Sequence, residues 1–463
     1  MSKYDVAIIG TGPAGMFAAL ELVDCKPGIK IVMLEKGPIR PMGDKSNVTS
    51  GWGGAGAFSD GKLDLSSVVG GTVHDEVGQE LFDELIPYID GRYLEFGGSK
   101  DRLIDASLDP EKWARVEILK AKALGAGLDL QPFPIRHLGT DTAHDIVMNI
   151  RAYLQARGVE IMTSCEANRL RREDDGSWIV GIRSEYGDPM TDSAVFADYV
   201  LASPGRSGAE WMAATAQDLG LKMGNNGIDV GVRVEVPNVT LREIAKLLYE
   251  SKLIYRSKRS DDKLRTFCMC PSGYVAMENY RGGLRTVNGH SYEKEGRKSP
   301  NTNFAILATQ VFTEPFNDSL GYGKAVSSLA NLLAGGGVLV QKLGDLRNGR
   351  RSKAEKRSQW IVKPTLTEAV PGDLSLVIPH RHLSGIVEML DAMEAIAPGV
   401  ASDHTLLYGI EVKFYSNKIE TGAGFETKAP GLYVAGDGSG YTRGLLQASM
   451  QGVLVARHIA NRS

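Results

Sequence analysis

Short apolar runs and a glycine-rich turn follow one another at the start of the chain. The run Asp5–Ile9 has the length of a buried strand, and the segment Met16–Val23 has helical character. A turn with three glycines separates them, and a second apolar run, Ile29–Leu34, comes after the helical segment. This order of strand, glycine turn, helix and strand predicts a βαβ unit.

The glycine turn has the spacing of a dinucleotide-binding fingerprint. Gly10 permits the tight turn, Gly12 lets a pyrophosphate approach the backbone, and Gly15 lets the helix pack closely on the strand. Glu35 lies about 20 residues after Gly15, where an acid reaches ribose hydroxyls, and this disfavours a glycine-rich turn of another kind. The residues expected to bind the dinucleotide are Gly10, Gly12, Pro13, Ala14, Gly15, Glu35 and Lys36.

A second pattern near the C-terminus discriminates between dinucleotides. The stretch Pro430–Gly440 contains a turn, an apolar strand and a Gly-Asp-Gly loop, and a long helical segment follows it. These residues resemble the flavoprotein superfamily that includes glutathione reductase and p-hydroxybenzoate hydroxylase. The resemblance implies that Asp437 binds the ribityl chain of FAD and that the helix N-terminus points at the flavin, which is anionic there when reduced. The residues implicated are Gly436, Asp437, Arg443, Gly444 and Leu445.

Two strands in the middle of the chain agree with this resemblance. Asp198–Ala202 is an apolar strand that continues to Gly205, and a similar strand approaches the FAD domain in the superfamily. Val159–Ala167 resembles the strand whose backbone meets adenine, with Ala167 interpreted as a packing residue. The resemblance therefore adds Ala167, Ala202 and Gly205 to the expected FAD site.

The loop Gly51–Leu63 is the most distinctive stretch of the sequence. It resembles a bacterial and archaeal family described as FAD-dependent dehydrogenases, as do His137–Asp141, Asp229–Pro237, Thr266–Gly273 and the Asn288-Gly-His stretch. The chain departs from that pattern at Ser203-Pro204 and at Ser272. The resemblance implies FAD and a redox reaction and names no substrate. The loop residues expected to lie near the flavin are Gly53, Gly54, Gly56, Phe58, Ser59 and Asp60, and a flexible surface loop is the alternative.

The patterns predict an α/β protein with a discontinuous, Rossmann-like FAD-binding domain at residues 1–65, 130–207 and 403–463. Residues 66–129 are expected to be a mainly helical cover. Residues 208–402 are expected to form a substrate domain of mixed α+β type with an antiparallel sheet, its strands at Ile228–Val236, Thr266–Met277, Gly283–Gly289 and Phe304–Val311. No second strand–GxGxxG–helix unit occurs, so we expect NAD(P)H, if used, to bind only transiently.

Several side chains of the predicted substrate domain are candidates for proton or thiol chemistry. Cys268 and Cys270 would share one face of an extended strand because side chains alternate, and simple packing is the plainer interpretation. His290 has the pKa best suited to acid–base work, and Tyr280, Asn288 and Tyr292 lie near it in the sequence. The candidate catalytic residues are Cys270, His290 and Tyr292.

Other charged residues favour structural interpretations. Arg233 and Glu235 share a strand face and are expected to pair with each other. His380 and His382 alternate like residues of a strand and lack a third ligand, so no metal site is expected. The basic run Lys342–Arg357 could admit an anionic substrate or the phosphate of NADPH, and a solvated basic loop is the plainer alternative.

Composition narrows the functional classes. The 463 residues include 53 basic and 56 acidic side chains, and the formal net charge of −3 gives no reason to expect nucleic acid or an anionic membrane as a partner. No apolar run is long enough to span a membrane, and the first residues enter a strand at once, so we expect no signal peptide. Four cysteines suit the reducing cytoplasm.

The sequence therefore predicts an FAD-dependent dehydrogenase or reductase. A small organic substrate is expected to bind between the two domains and to exchange a hydride with flavin N5. The alternatives are an NAD(P)H-dependent flavin monooxygenase, a non-catalytic protein that reuses the fold, and a flavin enzyme that modifies nucleic acid. The substrate, the electron donor or acceptor, a protein partner for electron exchange and the oligomeric state stay open.

Overall fold

A computed structural model describes residues 3–39, 50–58, 61–184, 193–280, 283–291, 295–316 and 318–462. The chain divides into two compact units. Unit 1 comprises Met1–Leu103, Ile135–Asn226 and Tyr415–Ser463, and unit 2 comprises Ile104–Pro134 and Gly227–Phe414.

The helices and strands follow one another throughout the described residues. The helices are α1 (Pro13–Cys25), α2 (Val73–Val77), α3 (Gln79–Glu95), α4 (Pro110–Gly125), α5 (Thr140–Ala156), α6 (Ala209–Asp218), α7 (Asn238–Leu248), α8 (Ser319–Leu333), α9 (Leu343–Arg347), α10 (His380–Met393) and α11 (Leu445–Ala460). The strands are β1 (Lys3–Ile9), β2 (Ile31–Leu34), β3 (Lys62–Asp64), β4 (Leu103–Ile104), β5 (Leu128–Gln131), β6 (Ile135–His137), β7 (Glu160–Met162), β8 (Cys165–Arg172), β9 (Trp178–Ser184), β10 (Ser193–Ala202), β11 (Met223–Gly224), β12 (Ile228–Pro237), β13 (Lys252–Arg256), β14 (Lys263–Cys270), β15 (Tyr274–Asn279), β16 (Arg285–His290), β17 (Asn301–Gln310), β18 (Leu339–Lys342), β19 (Val370–Pro371), β20 (Leu406–Lys413), β21 (Lys418–Ile419) and β22 (Leu432–Val434).

The main sheet of unit 1 has β1 between two parallel neighbours. Its strand order is β7-β2-β1-β10-β9-β8, with β22 paired to β10. Strand β1 is parallel to β2 and β10, and Ile9 at its end is opposite both Leu34 and Ala202. The carboxyl ends of these strands therefore meet at one edge, which is where open α/β sheets bind ligands.

Helices α1 and α11 pack against each other at very short range. A Cβ atom on Gly452 of α11 would lie 2.1 Å from the carbonyl oxygen of Ala14 in α1, so only glycine fits this crossing. The core around this contact contains Phe17, Tyr93 and Met450, all of which are buried. The N-terminal and C-terminal segments of the chain thus share one apolar core.

Unit 2 is built on an eight-stranded sheet with two different faces. The strand order is β19-β18-β20-β12-β17-β14-β13-β5, and the central pairs are antiparallel. One face carries valines of β12 that pack in a core with residues of α7 and α10. The opposite face carries buried polar and charged side chains, among them Asp229, Arg233 and Glu235. Alternation along β12 separates these two sets.

The bounds of the two units differ from the predicted domains. The segment 66–129, expected as one helical cover, is divided between the units. Its first part joins unit 1 because α3 packs on α11, where the hydroxyl oxygens of Tyr93 and Ser449 lie 3.0 Å apart. Its last part joins unit 2 because β5 pairs with β13. The predicted limits at 208 and 402 differ as well, since β11 pairs with β21 and so keeps residues up to 226 in unit 1.

The predicted strands and helices are confirmed in part. Strands β12 and β17 and helix α11 occur close to the expected positions, whereas the expected strand Thr266–Met277 is divided into β14 and β15 by a turn. His380 and His382 lie on helix α10, so their interpretation as a strand face is wrong. Within the described residues, no helix is long and apolar enough to cross a membrane.

Candidate functional site

The turn after β1 is held by close backbone contacts. Gly10 has φ +93°, and a Cβ atom there would lie 2.2 Å from the carbonyl oxygen of Ser203. A Cβ atom on Gly15 would lie 2.1 Å from the carbonyl oxygen of Gly10. The hydroxyl of Ser203 donates to the carbonyl of Ile9 at 2.9 Å, so the departure from the family pattern at this position ties β10 to the turn.

Glu35 is buried and holds the same turn through both carboxylate oxygens. Oε2 accepts hydrogen bonds from the backbone N–H of Thr11 at 3.1 Å and from its hydroxyl at 2.9 Å. Oε1 accepts from the N–H groups of Gly37 at 2.9 Å and Gly51 at 2.8 Å. Glu35 therefore joins three loops of unit 1, a role that its predicted contact with ribose did not include.

The glycine-rich loop that begins at Gly51 packs directly on this turn. The N–H of Gly53 donates to the carbonyl of Thr11 at 3.1 Å, and a Cβ atom on Gly54 would lie 3.1 Å from Cα of Gly12. A Cβ atom on Gly56 would lie 3.0 Å from Cδ2 of Leu445 and 3.1 Å from Cγ of Pro13. The loop thus lies between the first residues of α1 and of α11.

Three loop predictions fall at the limit of the structure. Ser59 and Asp60 lie outside the described residues, and for Phe58 only the backbone is described, as the end of a 3₁₀ helix. Their expected contacts with the flavin stay predictions.

The C-terminal loop completes the same edge of the sheet. A Cβ atom on Gly436, which has φ +77°, would lie 3.3 Å from Cβ of Ala14, and its N–H donates to Gln451 Oε1 at 2.8 Å. Asp437 accepts a hydrogen bond from the Thr442 hydroxyl at 2.8 Å and lies 3.3 Å from Nε of Arg206. Burial raises the pKa of Asp437, and Arg206, Thr442 and Arg443 oppose that rise without cancelling it.

The segment around Gly70 encloses the first turn of α11. The sequence analysis did not predict this contact. Gln447 donates from Nε2 to the Val69 carbonyl at 2.7 Å, and its Oε1 accepts from the Val73 N–H at 3.1 Å. The N–H of Arg443 donates to the carbonyl of Gly70 at 2.7 Å, and a Cβ atom on Gly444 would lie 3.3 Å from Cα of Gly70. The adjacent glycines Gly70 and Gly71 were the sequence feature that could have indicated this close contact.

The remaining predicted cofactor residues occupy supporting positions. Ala202 accepts the N–H of Ala435 at 3.1 Å, and Gly205 has φ +64° with its carbonyl oxygen 2.7 Å from where a Cβ of Gly438 would lie. Lys36 donates from Nζ to the Ser207 carbonyl at 3.4 Å. Ala167 is buried in β8 opposite Ile182, which agrees with a packing role.

The turn leaves room for a phosphate group at Gly12. Gly12 caps α1 with φ −71°, Pro13 occupies the first helical position, and a Cβ on Gly12 would meet no atom of the described residues within 4 Å. Gly10 and Gly15, by contrast, are closed in by backbone. The first N–H groups of a helix lack carbonyl partners within it, and its N-terminus favours negative charge. This arrangement fits the pyrophosphate of a dinucleotide.

Unit 2 contains a buried cluster around Arg233. Its Nε donates to Asn303 Oδ1 at 2.8 Å, its Nη1 lies 3.4 Å from Glu411 Oε1, and its Nη2 donates to the Cys268 carbonyl at 2.7 Å. Lys413 Nζ is 3.1 Å from the same Glu411 oxygen. The predicted pairing of Arg233 with Glu235 is therefore wrong. Consecutive residues on one strand face project side by side, and Arg233 turns toward β20 instead.

Glu235 forms a separate set of contacts. It accepts hydrogen bonds from the Tyr408 hydroxyl, from the Thr365 hydroxyl at 2.6 Å and from Asn301 Nδ2 at 3.0 Å. Burial raises the pKa of Tyr408 well above its usual range, and the neighbouring charge of Glu235 raises it further. Glu235 thus has hydrogen-bond donors in place of a cation.

The two cysteines of β14 come together through a bulge. Phe267 is opposite Ala305 and Cys270 is opposite Asn303, so three steps along β14 match two along β17. Cys268 takes the left-handed conformation with φ +44°, and its Sγ lies 3.9 Å from Sγ of Cys270. The sulfur atoms do share one side, but a bulge causes this, and the predicted regular alternation is wrong.

The other candidate catalytic residues lie partly near this pair. A Cβ atom on Gly273 would lie 2.6 Å from the His290 carbonyl oxygen and 2.8 Å from Cβ of Cys270, so the end of β16 is adjacent to Cys270. Asn288 donates to Glu278 at 3.3 Å, and the ring of Tyr280 packs edge-on against Phe414. Tyr292 lies outside the described residues.

Three arginines of the basic run have partners within the protein, and His382 is buried. Arg347 pairs with Asp391, Arg350 Nε is 2.8 Å from Asp345, and Arg357 donates to the carbonyls of Leu366 and Ala369. Burial lowers the pKa of His382. Across the residues that the structure describes, no group of three or more His, Cys, Asp or Glu side chains could hold a metal ion.

Two family models together match residues 5–414. The model described as FAD dependent oxidoreductase matches residues 5–233, and the model described as FAD-dependent protein, C-terminal domain-like, matches residues 228–414. The chain therefore belongs to the FAD-dependent oxidoreductases. Both models describe FAD-dependent proteins, so FAD is the cofactor that the comparisons support.

Three individual proteins that match this chain each share less than 30% of their residues with it. An uncharacterized protein of Clostridium beijerinckii is 26% identical, and the match covers 99% of this chain and 81% of that protein. Vinyl phenol reductase of Lactiplantibacillus plantarum is 28% identical over 39% of this chain and 33% of its own length. The structure of glycine oxidase from Geobacillus kaustophilus matches all of this chain and 96% of its own at 14% identity, with a TM-score of 0.38, which is too low to support an inference.

Proposed function

We propose that this FAD-dependent oxidoreductase is a dehydrogenase or reductase that exchanges a hydride between flavin N5 and a small organic substrate. The observation that carries the proposal is the space at Gly12, which three glycine-containing loops surround and which no side chain of the described residues fills. When bound, FAD supplies the hydride chemistry, and the protein supplies position and electrostatics.

The residues of unit 1 have separate tasks in this proposal. The N-terminus of α1 takes the pyrophosphate, and Asp437 takes a hydroxyl of the ribityl chain. The N-terminus of α11, whose cap is Gly444, favours the negative charge of a reduced flavin.

The reductive direction draws support from the relative named vinyl phenol reductase, whose name describes reduction of a small organic molecule. NADH or NADPH is the proposed transient reductant. The alternative is a protein partner that donates electrons to the flavin or accepts electrons from it. Because oxygen consumption separates a reductase from a flavin monooxygenase, the same preparation can discriminate between these reactions.

The experiment is an anaerobic visible spectrum of the purified protein, before and after addition of NADH and then NADPH. The proposal predicts bound-flavin bands that bleach when one nicotinamide is added. After oxygen is readmitted, these bands return slowly without substrate and faster when substrate is present. A protein that binds no FAD contradicts the proposal. Substrate-dependent oxygen uptake with NAD(P)H oxidation replaces it with a monooxygenase, and bands that persist assign reduction to the substrate or to a protein donor.

A further inference from the structure

The cysteine pair of unit 2 has a chemical environment that packing alone does not require. Arg233 Nη2 lies 3.3 Å from Sγ of Cys270 and donates to the carbonyl of Cys268. A guanidinium next to a cysteine stabilises the thiolate, which is the reactive form. The two sulfur atoms are 3.9 Å apart, so one can reach the other after a small side-chain rotation.

The backbone holds Cys268 in a costly conformation to achieve this. A non-glycine residue at φ +44° is sterically strained, and the bulge leaves one residue of β14 without a partner in the ladder. The guanidinium that donates to the Cys268 carbonyl is itself confined by a neighbouring strand. A Cβ atom on Gly289 would lie 1.6 Å from Nη2 of Arg233, so the backbone of β16 lies directly against the guanidinium.

The two cysteines differ in exposure. Cys268 is partly exposed, whereas Cys270 is buried with 1% of its surface accessible. A reagent in solvent therefore meets Cys268 first, and Cys270 lies behind it next to Arg233. This order of one accessible and one protected thiol is what a two-step exchange requires.

We propose that Cys268 and Cys270 form a thiol–disulfide exchange site that reduces a small organic disulfide. Cys268 acts as the attacking thiol and Cys270 as the resolving thiol. Arg233 is a positioning residue that keeps Cys270 close and favours its thiolate. The proposal concerns unit 2 alone and does not depend on the flavin reaction.

The exchange balances in two steps. The Cys268 thiolate attacks one sulfur of R–S–S–R, the S–S bond breaks, and RS⁻ leaves and takes up the proton that Cys268 lost. The Cys270 thiolate then attacks Sγ of Cys268 in the mixed disulfide, and the second RS⁻ leaves and is protonated. Two electrons pass from the cysteine sulfurs to the substrate, giving two RSH and a Cys268–Cys270 disulfide.

The test uses the full chain with Cys25→Ser and Cys165→Ser, which leaves only the pair. This variant is incubated with oxidised glutathione, quenched with a thiol-alkylating reagent, and examined by intact-mass spectrometry and a non-reducing gel. We expect a monomer that has lost two hydrogen atoms and carries neither glutathione nor alkyl groups. Thiols that stay fully alkylatable, or two stable glutathione adducts, overturn the proposal.

Single substitutions on this background assign the two roles. Cys270→Ser should accumulate one glutathione adduct, because the resolving thiol is absent. Cys268→Ser should react at a rate at least about tenfold lower, because Cys270 is buried. Equal rates in the two variants contradict the assignment. Thermal melts of both variants, and the same reaction in urea, separate a folded-state effect from unfolding, since closure should slow when the chain is unfolded.

Discussion

The carboxylate of Glu35 accepts hydrogen bonds from both the backbone N–H and the hydroxyl of Thr11, the residue between the first two glycines of the fingerprint. The other carboxylate oxygen binds the backbone of Gly37 and Gly51. Glu35, which directly follows β2, therefore holds the glycine turn in its conformation. Any contact with a ribose would be made in addition to four contacts within the protein.

Replacing Glu35 tests which of these roles dominates. Glu35→Gln places an amide N–H₂ against backbone donors, so we expect the apoprotein to lose about 1–3 kcal/mol of unfolding free energy and to bind FAD more weakly. Urea unfolding of the apoprotein and FAD titration measure the two effects. Thr11→Val is the matched control, since it removes only the hydroxyl donor. Unchanged apoprotein stability with lost FAD affinity would assign Glu35 to the ligand alone.

Two glycines of the same turn should respond differently to an added methyl group. Gly12→Ala meets no atom of the described residues within 4 Å and keeps an ordinary φ, so the apoprotein should unfold as before while FAD affinity falls about tenfold or more. Gly15→Ala meets the Gly10 carbonyl oxygen at 2.1 Å and should cost about 1–3 kcal/mol of apoprotein stability. Equal effects of the two substitutions on apoprotein melting would contradict an open phosphate site at Gly12.

Asp437 should make the apoprotein less stable as the pH rises. Its pKa is higher in the folded than in the unfolded chain, so the folded state binds more protons between the two values. The stabilisation is fully present below the unfolded pKa of about 3.9 and is lost as the pH rises through the folded value. Asp437→Asn should therefore raise the apoprotein melting temperature at neutral pH and not at pH below about 3.9.

The same substitution should weaken FAD binding by about tenfold if Asp437 contacts the ribityl chain. Arg206→Gln is the matched control, because it removes the cation and leaves the carboxylate. It should lower apoprotein stability at neutral pH. An Asp437→Asn protein that melts at a lower temperature than the parent at neutral pH would show that the carboxylate stabilises the loop.

Removing the Gln447 side chain should open the enclosure around α11. Gln447→Ala deletes the hydrogen bonds to Val69 and Val73, and we expect a loss of about 1–3 kcal/mol and faster thermolysin cleavage between residues 66 and 73. The exposed Gln155 on α5 gives the control Gln155→Ala, which should change neither quantity. Cleavage at the parent rate in Gln447→Ala would mean that other contacts hold this segment.

Glu411 competes with the thiols for the charge of Arg233. Burial lowers the pKa of Arg233, and Glu411 and the two cysteines together raise it to a net value above the usual one. Glu411→Gln removes one competitor, so the pH midpoint for thiol alkylation of the Cys268–Cys270 pair should move downward. The reaction of Cys165, whose pKa burial raises, should not change. An unchanged or higher midpoint for the pair would contradict coupling through Arg233.

Local patterns in the sequence predicted the parts of the molecule that depend on neighbouring residues. The turn Gly10–Gly15 and the start of α11 at Leu445 are fixed by glycine spacing and apolar periodicity, and both occur as expected. The pairing of Arg233 with Glu411 joins strands far apart in the sequence, and no periodicity specifies it. The bulge at Cys268 was also missed, because a one-residue insertion leaves no signal in an alternating pattern.

Unit 1 is assembled from three stretches of chain, and its cofactor edge needs the first and the last of them. Gly452 of α11 lies against Ala14 of α1, so each helix covers part of the other. During translation, the ribosome makes all of unit 2 between these two helices. A chain that stalls before Gly452 has not yet made the part of α11 that covers α1, so this apolar face of α1 is still exposed to solvent and open to chaperones.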